Sequence, residues 1–194
     1  MIVGSVKEDI NLEKRVSITP ETAKNIIALG LSVNIEKNYA VHLGIEDKQY
    51  EETGVKIYNS SKEIINNSSL ILKVNCPTDE ETKVLKEKTI LIGIFNPSNN
   101  QDKLKKVLKK NINVFSLELL PRISRAQSMD VLSSQSNLAG YRAVIESIYE
   151  FEKAVPMMMT AAGTVPAAKV LVIGAGVAAL AGGAVSLQGV HCEP

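Results

Sequence analysis

Short apolar runs alternate with longer amphipathic segments along most of the chain, and this alternation constrains the fold more than any other feature. Thr19–Leu29 is predicted to be a helix with Thr19 as its N-cap and Pro20 at its first position. Further helices are predicted near Asp79–Lys86 and Gln101–Lys110, and strands at Ile2–Val6, Ser32–Glu36, Leu70–Val74, Thr89–Ile94 and Asn113–Leu117. Such alternation predicts an α/β protein with a parallel sheet, whose strands end at one common edge.

A polar loop precedes a long predicted helix, Val131–Glu152. The loop contains Arg122, Arg125, Gln127 and Asp130, and Ser133 lies just inside the helix. Guanidinium, carboxamide and carboxylate groups at a sheet edge are suited to hydrogen-bond a nicotinamide carboxamide and a ribose, and an arginine to contact a phosphate. Alternatively, the aspartate caps the helix and both arginines are solvated. The residues alone leave both interpretations open.

A glycine-rich segment, Gly174-Ala175-Gly176-Val177-Ala178-Ala179, has the spacing of a dinucleotide-binding turn. It follows Lys169–Ile173, a β-branched segment predicted to be a strand, and it begins an alanine-rich helix. The first glycine permits the tight bend, the second lets a pyrophosphate approach the main chain, and a small third residue lets the helix pack on the strand. The alternative is a buried helix without a ligand. Before this segment, Thr160–Pro166 is predicted to be a loop of small residues.

Charge and hydropathy exclude several classes of partner. The 22 lysines and arginines nearly balance the 21 acidic residues, so no basic excess predicts nucleic-acid binding. Val170–Leu187 is uncharged and about long enough to span a bilayer. Its glycine, alanine and valine content nevertheless favours a strand, a turn and a helix. The chain is therefore expected to have no nucleic-acid partner and no segment inserted in a membrane.

The residues from Pro121 to Ala143 closely resemble the NAD(H)-binding domain of proton-translocating transhydrogenases, and so do Met157–Pro166 and the glycine turn. The resemblance begins with Arg15-Val16 and Thr19-Pro20 and covers nearly the whole chain. It implies two groups of residues that bind NAD(H). Those around the nicotinamide end are Arg122, Gln127, Asp130 and Ser133, and those around the pyrophosphate are Gly174, Ala175, Gly176, Val177 and Ala179.

The resemblance also implies an activity. The chain would be an oxidoreductase component that binds NAD(H) and exchanges hydride directly with NADP(H) on a partner component, coupled to proton translocation. Transfer between two nicotinamide rings needs no protein acid, base or metal, so no catalytic residue and no metal ligand is predicted. The family's domain forms a homodimer and docks on membrane-embedded and NADP(H)-binding components. This implies a cytoplasmic protein held peripherally at the inner membrane through its partners.

The expected domain organisation follows from these assignments. Residues 1–137 are expected to form a parallel-sheet lobe, residues 138–165 a connecting helix and loop, and residues 166–194 the truncated start of a Rossmann dinucleotide-binding domain. Glu193 lies about where such a domain has its ribose-binding acid, but residues 189–194 are too few for the preceding strand. The chain as given is therefore expected to bind NADH weakly or not at all, with residues 169–194 poorly ordered or packed on the first lobe.

Two other functions stay open from the sequence. One is a truncated, non-catalytic remnant of the same subunit, which would account for an ending at Pro194. The other is an amino-acid oxidoreductase similar to alanine dehydrogenase, which shares the two-lobed fold. In that case Arg15 and Lys73 would hold a keto acid, although both residues could equally support the fold. Asn96 stands where that family would need an acid–base histidine, which disfavours amino-acid oxidation.

Overall fold

The computed structural model of the protein describes residues 1–179, and six parallel strands form the sheet of its first unit, Met1–Pro121. They are β1 (Ile2–Ser5), β2 (Ser32–Glu36), β3 (Lys56–Tyr58), β4 (Leu70–Leu72), β5 (Ile90–Gly93) and β6 (Asn113–Ser116). Their order across the sheet is β3-β2-β1-β4-β5-β6, and each neighbouring pair is parallel. This is a doubly wound order, which reverses direction between β1 and β4. The predicted parallel α/β fold is confirmed.

Five helices connect these strands. They are α1 (Pro20–Ala28), α2 (Asp47–Glu51), α3 (Ser61–Asn67), α4 (Asp79–Val84) and α5 (Gln101–Leu108). The start of α1 agrees with the sequence prediction, because the Thr19 hydroxyl accepts a hydrogen bond from the Thr22 amide and Pro20 is the first helical residue. The sequence patterns did not predict α2, β3 and α3. These are short elements, and burial of residues such as Tyr50 and Ile64 stabilises them rather than intrinsic propensity.

The sheet has a hydrophobic core on each face, as expected when helices cover both sides of a parallel sheet. On one face, Val3, Val33 and Ile35 pack with residues of α1 and α2. On the other face, Ile71 and Leu91 pack with residues of α3, α4 and α5. Adjacent strand residues alternate between the two cores because successive side chains of a strand point to opposite faces.

The second unit begins at Arg122 and contains the longest helix, α6 (Val131–Phe151), preceded by a 3-10 helix over Ser124–Met129. Predicted loop residues Thr160–Pro166 are instead mostly part of an antiparallel hairpin of β7 (Met158–Thr160) and β8 (Gly163–Val165). The tight connection is possible because Gly163 adopts a φ of 130°, a conformation that residues with a side chain rarely adopt. The small residues predicted to be a loop thus form a hairpin whose two strands are joined by a two-residue turn.

The predicted strand Lys169–Ile173 is wrong, since these residues adopt no regular structure. A strand needs a neighbour for its main-chain N–H and C=O groups, and among residues 1–179 none pairs with this segment. Leu171 and Ile173 are accordingly 85% and 89% exposed. Residues 177–179 are helical, whereas the rest of the predicted helix, the second half of Val170–Leu187 and the position of Glu193 lie outside the described residues. None of the helices within residues 1–179 has the length and apolar character needed to cross a membrane.

We predict that Gly4→Ala lowers the free energy of unfolding by about 1–3 kcal/mol, because a methyl group at this position overpacks the contact between β1 and α3. A Cβ at Gly4 would lie 2.3 Å from the Ser68 hydroxyl and 2.8 Å from the Ile64 side chain. The Ser68 hydroxyl is itself buried, and no hydrogen-bond partner for it lies within residues 1–179. Urea unfolding of Gly4→Ala, Ser68→Ala and the double variant measures the effect. Ser68→Ala should recover part of the loss, and equal loss in the single and double variants would contradict the packing argument.

Candidate functional site

A buried charge cluster lies at the carboxyl ends of the two central strands, where the sheet order reverses. The Lys73 ammonium donates to both carboxylate oxygens of Glu81, at 2.7 and 2.9 Å, and lies 3.7 Å from Glu8 Oε2. Glu8 Oε1 accepts hydrogen bonds from the main-chain amides of Val74 and Asn75, at 2.8 and 3.2 Å. Burial raises the pKa of Glu8 above its usual range, against the opposing charge of Lys73 and these two amides.

The Lys73 side chain is only 4% exposed, so its charge is satisfied inside the protein. Arg15 pairs with Glu13 at 2.7 Å, and hydrogen bonding to this arginine holds the pKa of Glu13 below its usual range. Asn96 follows β5 in a left-handed conformation, with a φ of 45°, and its main-chain amide donates to Glu118. At this edge the side chains considered for a keto acid therefore form ion pairs within the protein.

The polar loop of the second unit forms a small open pocket. Its volume is about 210 Å³, and it is lined by Arg122, Ile123, Ser124, Ala126, Gln127 and Asp130. Three of the four residues predicted for the nicotinamide end, Arg122, Gln127 and Asp130, are thus brought together. Ser124 was missed, although it lies in the same polar loop and its hydroxyl offers a further donor and acceptor.

Asp130 and Ser133 form the N-terminal cap of α6. One carboxylate oxygen of Asp130 accepts from the Ser133 amide at 3.0 Å, and the other accepts from the Ser133 hydroxyl at 2.6 Å. These bonds, with a smaller contribution from the charge of Arg122, hold the pKa of Asp130 below its usual range. The alternative drawn from the sequence, that Asp130 caps the helix, therefore describes this geometry. The cap also keeps the carboxylate ionised and orients it at the pocket, so it does not exclude a binding role.

The glycine turn is open to solvent in the structure. Gly174 has a φ of 118°, and a Cβ built on Gly174 or Gly176 would meet no atom of the described residues within 4 Å. Residues 174–176 are exposed, as are residues 177 and 178 of the helix that follows. Both glycines therefore leave open space beside the main chain, and pyrophosphate binding at this turn stays a prediction. What the segment lacks, among residues 1–179, is the paired strand before it.

The doubly wound sheet order defines a Rossmann-like α/β protein. Residues 4–139 match the family described as alanine dehydrogenase/PNT, N-terminal domain, and residues 143–188 match its C-terminal domain. The chain therefore belongs to the alanine dehydrogenase/PNT family.

Three proteins similar to this chain are transhydrogenases or their alpha subunits. The first segment of the NAD(P) transhydrogenase alpha subunit of Rickettsia prowazekii is 45% identical over 184 residues, which cover 93% of this chain and 48% of the relative. NAD(P) transhydrogenase subunit alpha of Haemophilus influenzae is 45% identical over 181 residues, covering 93% of this chain and 35% of the relative. The crystal structure of transhydrogenase from Sinorhizobium meliloti superposes with a TM-score of 0.92 at 41% identity, covering 97% of this chain and 56% of that one. The chain thus spans about half or less of the length of these relatives.

We predict that Lys73→Met lowers the free energy of unfolding by about 3–5 kcal/mol, because it leaves two buried carboxylates without a cation. The loss should be smaller at pH 5 than at pH 8. The charge of Lys73 opposes the rise in the pKa of Glu8, so without it this pKa lies further above its unfolded value. The variant therefore loses more stability than the wild type as pH rises through that pKa. Urea unfolding at the two pH values measures this. Lys105→Met, at an exposed ion pair, is the matched control and should change stability little. Equal losses for Lys73→Met at both pH values would contradict the prediction.

Ser133→Ala should raise the pKa of Asp130 toward its ordinary value, because the Ser133 hydroxyl is the main cause of its lowering. The cap's contribution to stability is present above the unfolded pKa and is lost as pH falls through the lowered folded value. In Ser133→Ala it should therefore be lost at a higher pH than in the wild type. Carboxyl 13C NMR titration of Asp130 gives the pKa directly. Ser134→Ala, one residue further along α6, should leave it unchanged, and the same Asp130 pKa in both variants would rule out the hydroxyl as its cause.

Proposed function

We propose that the chain forms the NAD(H)-binding part of an NAD(P) transhydrogenase, in which hydride passes directly between NAD(H) and NADP(H) held by a partner component. The observation that carries the proposal is the pocket before α6, which Arg122, Gln127 and Asp130 line together. The similarity to transhydrogenase alpha subunits supports it. Coupling to proton translocation is part of the same proposal and would reside in the partner components.

Within this proposal each group of residues has a separate role. Gln127 offers a carboxamide that can pair with the nicotinamide carboxamide, and Asp130 accepts hydrogen bonds from a ribose. Arg122 supplies a positive charge for a phosphate. The pyrophosphate approaches Gly174, Ala175 and Gly176, and the main chain of residues 177–179 supplies N–H donors. NAD(H), when bound, supplies the hydride chemistry, so the protein acts by positioning the ring rather than through a catalytic acid or base.

The side chains at the carboxyl ends of the strands favour this function over alanine oxidation. Lys73 is sequestered between Glu8 and Glu81 rather than presented to a keto-acid carboxylate. Asn96 cannot act as a general acid–base, because its carboxamide does not titrate near neutral pH. The ion pairs of Lys73 are those of a residue that supports the fold, and Asn96 offers the second function no group for its proton transfer.

An exposed apolar stripe on α6 supports the proposed homodimer. Its residues are Leu138, Tyr141, Ile145, Ile148 and Tyr149. Contiguous apolar surface of this kind is uncommon on a monomer and marks protein–protein contacts. We propose that a second copy of the chain covers it, and that the membrane-embedded and NADP(H)-binding components hold the dimer at the inner membrane from the cytoplasmic side.

The proposed function predicts that this chain can replace the matched segment of the Rickettsia prowazekii subunit and retain hydride transfer. The chimera, assembled with that subunit's own partners, should reduce NAD+ with NADPH at a rate within about tenfold of the unmodified enzyme, since a well-matched fold preserves ring position. The same preparation should not oxidise alanine with NAD+. A folded, assembled chimera that transfers no hydride would refute the proposal.

In the same chimera, Gln127→Ala and Asp130→Ala should slow hydride transfer while leaving pyrophosphate binding mostly intact. Displacing a reacting ring by ~1 Å can lower the rate on the order of a hundredfold. Asn137→Ala, at an exposed position of α6, is the matched control. Wild-type turnover in both loop variants would leave Asp130 with its capping role alone.

A further inference from the structure

Gly140 lies in the interior of α6, where glycine is intrinsically unfavourable. It is the buried residue of this helix, although no side chain is present to be buried. Glycine in a helix interior is less stable than alanine because it loses more backbone freedom on folding. A residue that weakens the helix at its best-covered position points to a contact that tolerates nothing larger.

The contact is with the helical residues that follow the glycine turn. A Cβ built on Gly140 would lie 2.0 Å from the main-chain oxygen of Ala178, 2.7 Å from its carbonyl carbon and 3.0 Å from its Cα. Real Cβ atoms essentially never come closer than 3.0 Å to a non-bonded heavy atom. An alanine at this position therefore requires one of the two segments to move by about 1 Å. All three atoms belong to the main chain, so no side-chain rotation can relieve the clash.

The same helix connects this contact to the polar loop. α6 begins directly after Asp130, whose carboxylate caps it through Ser133. Gly140 lies nine residues beyond the first residue of α6, which is about 14 Å along the helix axis at 1.5 Å per residue. Because a capped helix is stiff over this length, the position of the loop relative to Ala178 depends on how closely α6 approaches at Gly140.

We propose that Gly140 is a positioning residue of the dinucleotide site, because its lack of a side chain sets the spacing between the polar loop and the glycine turn. The inference rests on the proposed NAD(H) function, in which the loop binds the nicotinamide end and the turn binds the pyrophosphate. A ligand that bridges both groups depends on their spacing. A ligand that contacts the turn alone does not.

Gly140→Ala tests this with two ligands, NADH and ADP. The purified chain is titrated with each, followed by 31P NMR, which detects even millimolar binding. The dissociation constant of NADH should rise tenfold or more in Gly140→Ala, whereas that of ADP should change less than threefold. Ala139→Ser adds one heavy atom at the neighbouring exposed position of α6 and should change neither. Equal NADH binding by the wild type and Gly140→Ala would overturn the inference while leaving the proposed function intact.

Hydrogen–deuterium exchange decides the packing contact without any ligand. Amides of residues 177–179 should exchange faster in Gly140→Ala than in the wild type or Ala139→Ser, and amides of β1 to β6 should be unchanged, which shows that the sheet is folded. Ala178→Gly should not restore slow exchange, because the clash is with the main chain. Unchanged exchange together with a raised melting temperature, the ordinary result of glycine to alanine in a helix, would overturn the inference.

Absence of a 31P shift for NADH with the wild type would instead count against NAD(H) binding by this chain. Hydrogen exchange would then still decide the role of Gly140.

Discussion

The centre of the sheet depends on the ion pairs of the buried Lys73 ammonium. The ammonium forms an ion pair with Glu81 and lies close to Glu8. Glu8 in turn accepts hydrogen bonds from the two main-chain amides that follow β4. The cluster therefore joins the end of β1 to the end of β4, the two strands between which the topology reverses. Taking three charges out of water is costly unless each is paired, so these residues are coupled and no one of them can be lost without exposing the others to that cost.

A second constraint organises the unit that begins at Arg122. Asp130 ends the polar loop and starts α6 with the same carboxylate, so the cap and the candidate binding group are one residue. A side chain held by two hydrogen bonds loses little further freedom when it binds a ligand, which favours a site that works by position. The chain's family includes alanine dehydrogenases, and the hydride transfer proposed above needs no acid or base from the protein.

Prediction from the sequence succeeded where the signal was local. The cap of α1 at Thr19 and the limits of β2 are visible in the residues themselves, because a side-chain oxygen before a proline and a β-branched alternating run act over a few residues. The segment Lys169–Ile173 has the same β-branched character, yet it forms no strand. A strand is stable only beside another strand. The composition of a segment therefore indicates that it can form a strand, but not that a neighbouring strand exists.

The sequence by itself determined the α/β class, the cap of α1 at Thr19, the polar loop and the spacing of the glycine turn, since each depends on residues close together in the chain. Tertiary structure decided the rest. Glu8, Lys73 and Glu81 became one cluster only because parallel strands end at a common edge, and no spacing in the sequence indicates their pairing. The role proposed for Gly140 likewise depends on the main chain of Ala178, which lies 38 residues further along the chain. Contacts between distant residues depend on packing geometry, which a linear pattern of side chains does not contain.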